Sequence, residues 1–107
     1  MERLDMYKPL PDIVTVSKSS IEGLGLFATK DIPKDTWIGL THLHIIRNRT
    51  GDDWVRLPLG GFYNHSDHPN CISKDRGFYK ELFSLHDIKE GEELTCKYKL
   101  YEIKKWL

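Results

Sequence analysis

The sequence is short of cysteine, of long apolar runs and of net charge, and each absence excludes a class of protein. Its 107 residues include two cysteines, Cys71 and Cys96, too few for a disulfide framework or a four-cysteine zinc site. No apolar run approaches the roughly 18 residues of a membrane span. The opening MERLDMYKPLPD lacks the apolar centre of a secretory signal. We therefore expect a soluble, intracellular protein of a reducing compartment, with no membrane partner.

The charge balance also excludes a class of partner. The chain carries 16 basic and 16 acidic residues, for a formal net charge of zero. Such a chain has no general electrostatic attraction for nucleic acid, so we expect no direct nucleic-acid binding. The length predicts one domain over residues 1–107, with a core modest enough that a partner subunit or ligand would supplement it.

Short β-forming segments separated by turns make up most of the sequence, which predicts a mostly β fold without βαβ units. On the third predicted strand, alternation places Trp37, Gly39, Thr41, Leu43 and Ile45 on one face, and His42 and His44 together on the other. Residues 55–70 hold too many prolines and glycines for a regular helix. The predicted elements are strands in 12–19, 21–32, 36–46 and 90–98, a polar loop at 47–54, a hairpin at 71–88 turning at 74–77, and a short amphipathic C-terminal helix in the tail.

Two segments resemble each other within the chain. ATKDIPKDTWI and SLHDIKEGEEL both lead from a strand end through Asp-Ile to a charged turn and a new strand. Two copies are fewer than the three or more that a repeat architecture needs, so the similarity does not predict a repeat protein.

The polar run GGFYNHSDHPNC, residues 60–71, is open to three interpretations. His65, His68 and Cys71 have residue types that bind zinc, but their spacing suits a helix better than a loop containing proline. Cys71 with either histidine could form a nucleophile–base pair, although Cys71 begins a predicted strand, where a small buried cysteine is commoner. The third interpretation is a turn-rich loop, and for the histidines we favour hydrogen-bonded or solvated roles over a metal site.

Gly23-Leu24-Gly25 is a poor match to a phosphate-binding loop, because it lacks a third glycine, a following helix and a lysine. A tight turn with positive φ explains its glycines equally well. Such a turn also lets the backbone approach a ligand closely.

The order of three segments is more informative than any one of them. GLGLFA (23–28), NHSDHPNC (64–71) and GEELTCKY (91–98) resemble, in order, the three conserved motifs of the SET domain, the fold of protein lysine methyltransferases. The resemblance covers residues 12 to about 101. It implies a mostly β, β-clip-like fold of short strands in small sheets, with 1–11 as an N-terminal extension and 99–107 as a C-terminal tail.

The resemblance also implies an activity and a cofactor, the transfer of a methyl group from S-adenosylmethionine to a lysine ε-amine of a protein or peptide. By similarity, Glu22, Gly23 and Leu24 would contact the amino-acid end of the cofactor through their backbone. Asn64 and His65 match the positions that bind its adenosine and methionine parts, partly through backbone groups. No metal is implied.

Two aromatic positions complete the set of residues implied by similarity. Tyr98 matches the catalytic tyrosine, whose hydroxyl lies beside the transferring methyl group and the target nitrogen. The family commonly places an aromatic residue from the tail over the adenine. Trp106 is our choice and Tyr101 the alternative, while Trp106 could equally hold a C-terminal helix against the core.

Several positions depart from the family pattern. Asp67 replaces a zinc-binding cysteine of many chromatin enzymes, Ser73 replaces a tyrosine that limits the methylation state in some relatives, and Lys99 replaces a frequent glycine. The short span 29–63 leaves little room for a substrate-reading insert, as in stand-alone viral and bacterial SET proteins. A homodimer could therefore complete the substrate groove. For its location, the resemblance implies the cytoplasm or, for a viral protein, the host cell or its nucleus. The alternative function is a non-catalytic SET-like module that binds a peptide or serves structurally.

Overall fold

A computed structural model describes residues 10–47 and 51–97 of the chain. Strands dominate these ranges, as the sequence predicts, and no helix within them is long and apolar enough to cross a membrane. In chain order the elements are β1 (Val14–Lys18), β2 (Leu24–Ala28), β3 (Trp37–Arg47), β4 (Gly51–Arg56), α1 (Pro58–Phe62), β5 (Asn64–His65), β6 (Cys71–Asp75), β7 (Tyr79–Ser84) and β8 (Glu93–Cys96).

The strands form a mixed sheet in the order β1-β2-β8-β6-β7-β3-β4, with β5 paired to β8 outside this path. Every pairing along this path is antiparallel except that of β6 with β8, and β5 also runs parallel to β8. Strand β8 therefore meets β2, β5 and β6, which brings the three motif segments of the sequence together. The core beneath the sheet contains Leu26, Leu82 and Leu94, all fully buried.

The two similar segments are related by an approximate twofold axis. Ile32 and Ile88 form a β-bridge with reciprocal backbone hydrogen bonds of 2.7 and 2.8 Å. Asp35 and Gly91, at equivalent places in the two segments, are both left-handed, with φ of 66° and 87°. The internal similarity of the sequence therefore corresponds to a paired structural unit.

The aspartates of the two segments bind each other's turns. The carboxylate of Asp31 accepts a hydrogen bond from the backbone N–H of Glu90, at 2.9 Å. The carboxylate of Asp87 accepts one from the backbone N–H of Lys34, at 2.8 Å. Each aspartate thus satisfies a turn donor in the other copy, as a cap does at a helix end.

The prediction that alternate residues from Trp37 to Ile45 share a face of β3 is wrong. Two register shifts interrupt the pairing of β3 with β7, and each shift changes which face the following residues occupy. Trp37 and Leu43 are consequently exposed, whereas Thr41 is fully buried. His42 and His44 lie after both shifts and share a face, as predicted, where both rings contact Trp54.

The predicted polar loop at 47–54 is also wrong, because residues 51–54 belong to β4 and Arg47 ends β3. This strand pairs antiparallel with β3, so that Leu43 lies opposite Val55 and His44 opposite Trp54. The backbone groups of β4 form hydrogen bonds with β3, and this pairing cannot be predicted from the local composition of residues 47–54.

Helix α1 is a single turn that begins at Pro58, where proline is well tolerated. Its Gly60 packs against the backbone of Thr41 in β3, and a Cβ at Gly60 would overlap the Thr41 carbonyl oxygen. The N–H of Leu57 donates to the same oxygen at 2.9 Å. This close approach fixes the entry into β5 and requires glycine at this position.

The adjacent glycines Gly60 and Gly61 should therefore respond oppositely to the same substitution. We expect Gly60→Ala to lower the free energy of unfolding by about 3 kcal/mol. The new Cβ would clash with the backbone of β3, which cannot move aside as a flexible side chain can. Gly61→Ala should be neutral or stabilise by up to about 1 kcal/mol, because its nearest neighbour is the Arg56 side chain at 3.5 Å. Urea denaturation measures both, and equal effects would contradict the packing described.

Candidate functional site

Ser19 organises the turn between β1 and β2. Its backbone N–H donates to the carbonyl oxygen of Gly23 at 2.8 Å. Its hydroxyl oxygen accepts hydrogen bonds from the backbone N–H groups of Ile21, at 2.9 Å, and Glu22, at 3.3 Å. Gly23 closes the turn with a φ of 50°, which confirms the predicted positive φ.

Asn64 binds this turn from β5. Its Nδ2 donates to Glu93 Oε2 at 2.7 Å, and it also lies 3.1 Å from Ser19 Oγ. The carbonyl oxygens of Glu22 and Leu24 lie 3.2 and 3.4 Å from the same nitrogen. Four acceptors around Nδ2 fix the orientation of the amide. Its Oδ1 points away from them and accepts no hydrogen bond from any residue in the described ranges.

Glu93, at the start of β8, holds the Asn64 amide through the hydrogen bond to its Oε2. The Ser19 hydroxyl donates to both of its carboxylate oxygens, at 2.8 and 2.9 Å. Gly25 makes room for this carboxylate, because a Cβ there would overlap Oε2 and lie 2.9 Å from Cδ. At Gly25, therefore, the group that approaches the backbone closely is the Glu93 side chain and not a ligand.

Asn70 holds the other side of the motif loop to β8. Its Nδ2 donates to the Glu93 carbonyl oxygen at 2.8 Å, and its Oδ1 accepts from the Thr95 backbone N–H at 2.9 Å. Its own carbonyl oxygen accepts from the N–H of Leu85 at 2.7 Å. The side-chain amide therefore replaces a strand neighbour along this part of β8.

His65 follows Asn64 in β5 and pairs with Cys96 of β8. Its Nε2 lies 3.3 Å from Asp67 Oδ1, and both side chains reach solvent. His68 is exposed. The structure thus brings Glu22, Leu24 and Asn64 into direct contact, with Gly23 and His65 beside them, while the predicted Tyr98 and Trp106, and the alternative Tyr101, lie outside the described residues.

Cys71 is a buried core residue at the start of β6, as predicted, rather than an exposed nucleophile. Burial, together with the neighbouring Cys96, raises its pKa from the ordinary 9.0 to about 12. The thiolate that nucleophilic chemistry needs is therefore disfavoured. In the described part of the chain, no three His, Cys, Asp or Glu side chains are grouped as metal ligands.

Sequence reasoning missed Ser19, Gly25 and Glu93 as members of this site. Ser19 precedes a glycine-containing turn, where a serine hydroxyl commonly binds backbone N–H groups. Glu93 opens a strand whose next three residues are all buried, and an acidic side chain in such a strand indicates a specific partner. The serine signal was present in the sequence, whereas the burial of the residues after Glu93 is known only from the structure, and neither signal identified the partner residue.

Comparison with known proteins identifies the family that the chain resembles. Residues 49–99 match the SET domain family. The histone-lysine N-methyltransferase trr of Drosophila melanogaster is 29% identical over 115 aligned positions, covering 80% of this chain and 5% of trr. The H3 lysine-37-specific histone-lysine N-methyltransferase of Schizosaccharomyces pombe is 28% identical over 98 positions, covering 72% of this chain and 67% of that protein.

Among solved structures, a candidate histone methyltransferase of Plasmodium falciparum superposes with a TM-score of 0.71 at 21% identity, covering 85% of this chain and 96% of the other. The chain is thus a SET-domain protein with the mostly β fold of that family. It spans only a twentieth or less of the first curated relatives it matches. The alignment with trr spans 115 positions but includes only 80% of this 107-residue chain. The remaining positions are residues of trr that have no counterpart in this chain.

The Asn70 amide generates a stability prediction. We expect Asn70→Ala to lower the free energy of unfolding by about 2–4 kcal/mol, because it leaves the Thr95 N–H and the Glu93 carbonyl without their partners. His68→Ala, in the same loop but exposed, should change it by less than about 0.5 kcal/mol. Chemical denaturation of both variants checks this, and a small effect at Asn70 would refute the bridging role.

The raised pKa of Cys71 predicts a loss of stability in alkali. Above pH 9 the unfolded chain releases the thiol proton, whereas the native state keeps it to about pH 12. The native state then binds more protons, so the free energy of unfolding falls with pH, by up to about 1.4 kcal/mol per unit. Urea denaturation from pH 8 to 10.5 should show a steeper fall in the wild type than in Cys71→Ala. Parallel slopes would contradict the shift.

Proposed function

We propose that this protein transfers a methyl group from S-adenosylmethionine to a lysine ε-amine of a protein or peptide substrate. The observation that carries the proposal is the contact of Asn64 with the backbone of Glu22 and Leu24. Two motif segments that are distant in sequence meet there, beside the β8 motif. The relatives' names, histone-lysine N-methyltransferases, support the same reaction class and suggest a histone-like peptide.

The chemistry of the donor set suits the amino-acid end of this cofactor, which carries an ammonium group. Asn64 Oδ1 is an acceptor held in a fixed orientation, and Glu93 beneath it is acidic. Gly23 is exposed, and a Cβ there would meet nothing within 4 Å, so the turn leaves space for a ligand. We therefore assign Glu22, Gly23, Leu24, Asn64 and His65 to cofactor binding.

When bound, the cofactor supplies a methyl group on a positively charged sulfur that departs neutral, so no acid is needed for the leaving group. The chain's task is to align the attacking nitrogen, a positioning effect. We assign this to the Tyr98 hydroxyl, which accepts or donates a hydrogen bond at the amine. A phenol pKa of about 10 makes it a poor base at neutral pH, so orientation of the amine is its role. Trp106 remains our proposal for covering the adenine.

The short span 29–63 suggests how the substrate groove is completed. The residues that trr has in excess of this chain support the view that the usual insert is reduced here. We propose that a second copy of the chain supplies the missing wall. Sedimentation at micromolar concentration measures this directly, and a monomer would refute the homodimer while leaving the methyl-transfer proposal intact.

Titration of the full chain with S-adenosylmethionine, followed by calorimetry, tests the cofactor assignment. Binding with saturation below the millimolar range is expected. Absence of binding at millimolar cofactor would overturn the enzyme proposal in favour of a non-catalytic module. Mass spectrometry of histone and peptide arrays incubated with labelled cofactor then identifies the substrate.

Tyr98 provides the test of the catalytic assignment. We expect Tyr98→Phe to bind S-adenosylmethionine like the wild type but to transfer methyl groups on the order of 100-fold more slowly, because the amine loses its orienting partner. Tyr79→Phe, on the exposed face of β7, is the matched control and should retain the full rate. An unchanged rate in Tyr98→Phe would refute the role of the hydroxyl.

A further inference from the structure

Glu93 is an acidic residue that has no counter-ion among the residues that the structure describes. Its carboxylate is half-buried, and its hydrogen-bond donors, Ser19 and Asn64, are both neutral. Both carboxylate oxygens accept hydrogen bonds from these two residues. Within residues 10–47 and 51–97 it takes part in no ion pair. Such a charge is costly to bury, and hydrogen bonds from neutral groups hold it in place without cancelling it.

Asn64 extends the effect of this charge towards the proposed cofactor site. Its N–H end faces the carboxylate at 2.7 Å, so the amide dipole is aligned with its negative end at Oδ1, pointing away from Glu93. The carboxylate polarises the amide further. The Glu93 charge and the Asn64 amide dipole therefore both make the electrostatic potential negative at Asn64 Oδ1, beside the turn of residues 22–24.

We propose that Glu93 is a specificity-determining residue, which makes the site prefer S-adenosylmethionine over the demethylated product, S-adenosylhomocysteine. This inference rests on the proposed function. Glu93 acts through Asn64 and through its field, so it is a positioning residue rather than a catalytic one.

The preference follows from the charges on the two molecules. Both carry an ammonium and a carboxylate, but only S-adenosylmethionine has a positively charged sulfur, so it bears a net charge of +1 and the product is neutral. In the transfer the lysine nitrogen lone pair forms the new C–N bond, the C–S bond breaks with its electron pair remaining on sulfur, and the amine releases a proton to solvent. A fixed negative charge thus binds the methyl donor more tightly and favours product release.

A purely structural role for Glu93 makes a different prediction. If the carboxylate only held the turn to β8, its loss would weaken binding of donor and product by the same factor. The ratio of the two dissociation constants therefore separates the electrostatic role from the structural one, even in a variant that is less stable.

The experiment measures the dissociation constants of S-adenosylmethionine and S-adenosylhomocysteine by calorimetry at low salt. Glu93→Gln keeps the shape of the side chain and removes the charge. We expect the preference for the methyl donor to fall about three- to tenfold, the size of a single partly screened charge interaction. Glu90→Gln, an exposed neighbour with the same change in net charge, should leave the ratio unchanged.

Ser19→Ala is the second control, because it removes a hydrogen bond to Glu93 while leaving the charge. Both ligands should then bind more weakly at an unchanged ratio. In the wild type, raising the salt concentration should reduce the preference for the donor, a measurement that does not depend on any variant folding. An equal loss for both ligands in Glu93→Gln, or a ratio insensitive to both charge and salt, would overturn the proposal.

The wild type and Glu93→Gln together separate this inference from the proposed function. If the wild type binds neither molecule, the methyltransferase proposal itself fails. If it binds both and Glu93→Gln keeps the wild-type ratio, the cofactor assignment stands and only the role of Glu93 is refuted.

Discussion

The carboxylate of Glu93 joins the parts of the site that the chain brings from distant positions. It receives hydrogen bonds from Ser19 at the first turn and from Asn64 in β5, while its backbone carbonyl binds Asn70. Gly25 is a glycine because this carboxylate occupies the space of its side chain. Removing this one group would take away the side-chain link from Ser19 and Asn64 to β8, whereas Asn70 and the strand pairing would still hold the motif loop to β8.

The scaffold around this site is built from two similar halves. Reciprocal bonds from Asp31 and Asp87 to the opposite turn, together with the Ile32–Ile88 bridge, place the strands that follow on either side of a common axis. The second half leads into β8 and so supplies Glu93. A repeated local pattern with reciprocal capping thus positions a site that is itself not symmetric.

The accuracy of the sequence predictions depended on how local the determining interaction was. Strand β1, which alternates apolar and polar residues, strand β8 and the hairpin of β6 and β7 were predicted close to their observed bounds. The face assignment on β3 failed because bulges depend on the register with β7. Strand β4 was missed because its pairing with β3, rather than its composition, makes it a strand.

The sequence by itself determined the mostly β class, the positive φ at Gly23 and the three motifs, because these depend on residue type and short-range order. The resemblance also assigned Glu22, Leu24 and Asn64 to one cofactor, but it predicted no contact between them. Only the tertiary structure decided that the Asn64 amide is oriented by Glu93 and that Ser19 completes the group. These contacts join residues up to 74 positions apart, and a hydrogen bond across such a distance exists only once packing has brought the strands together.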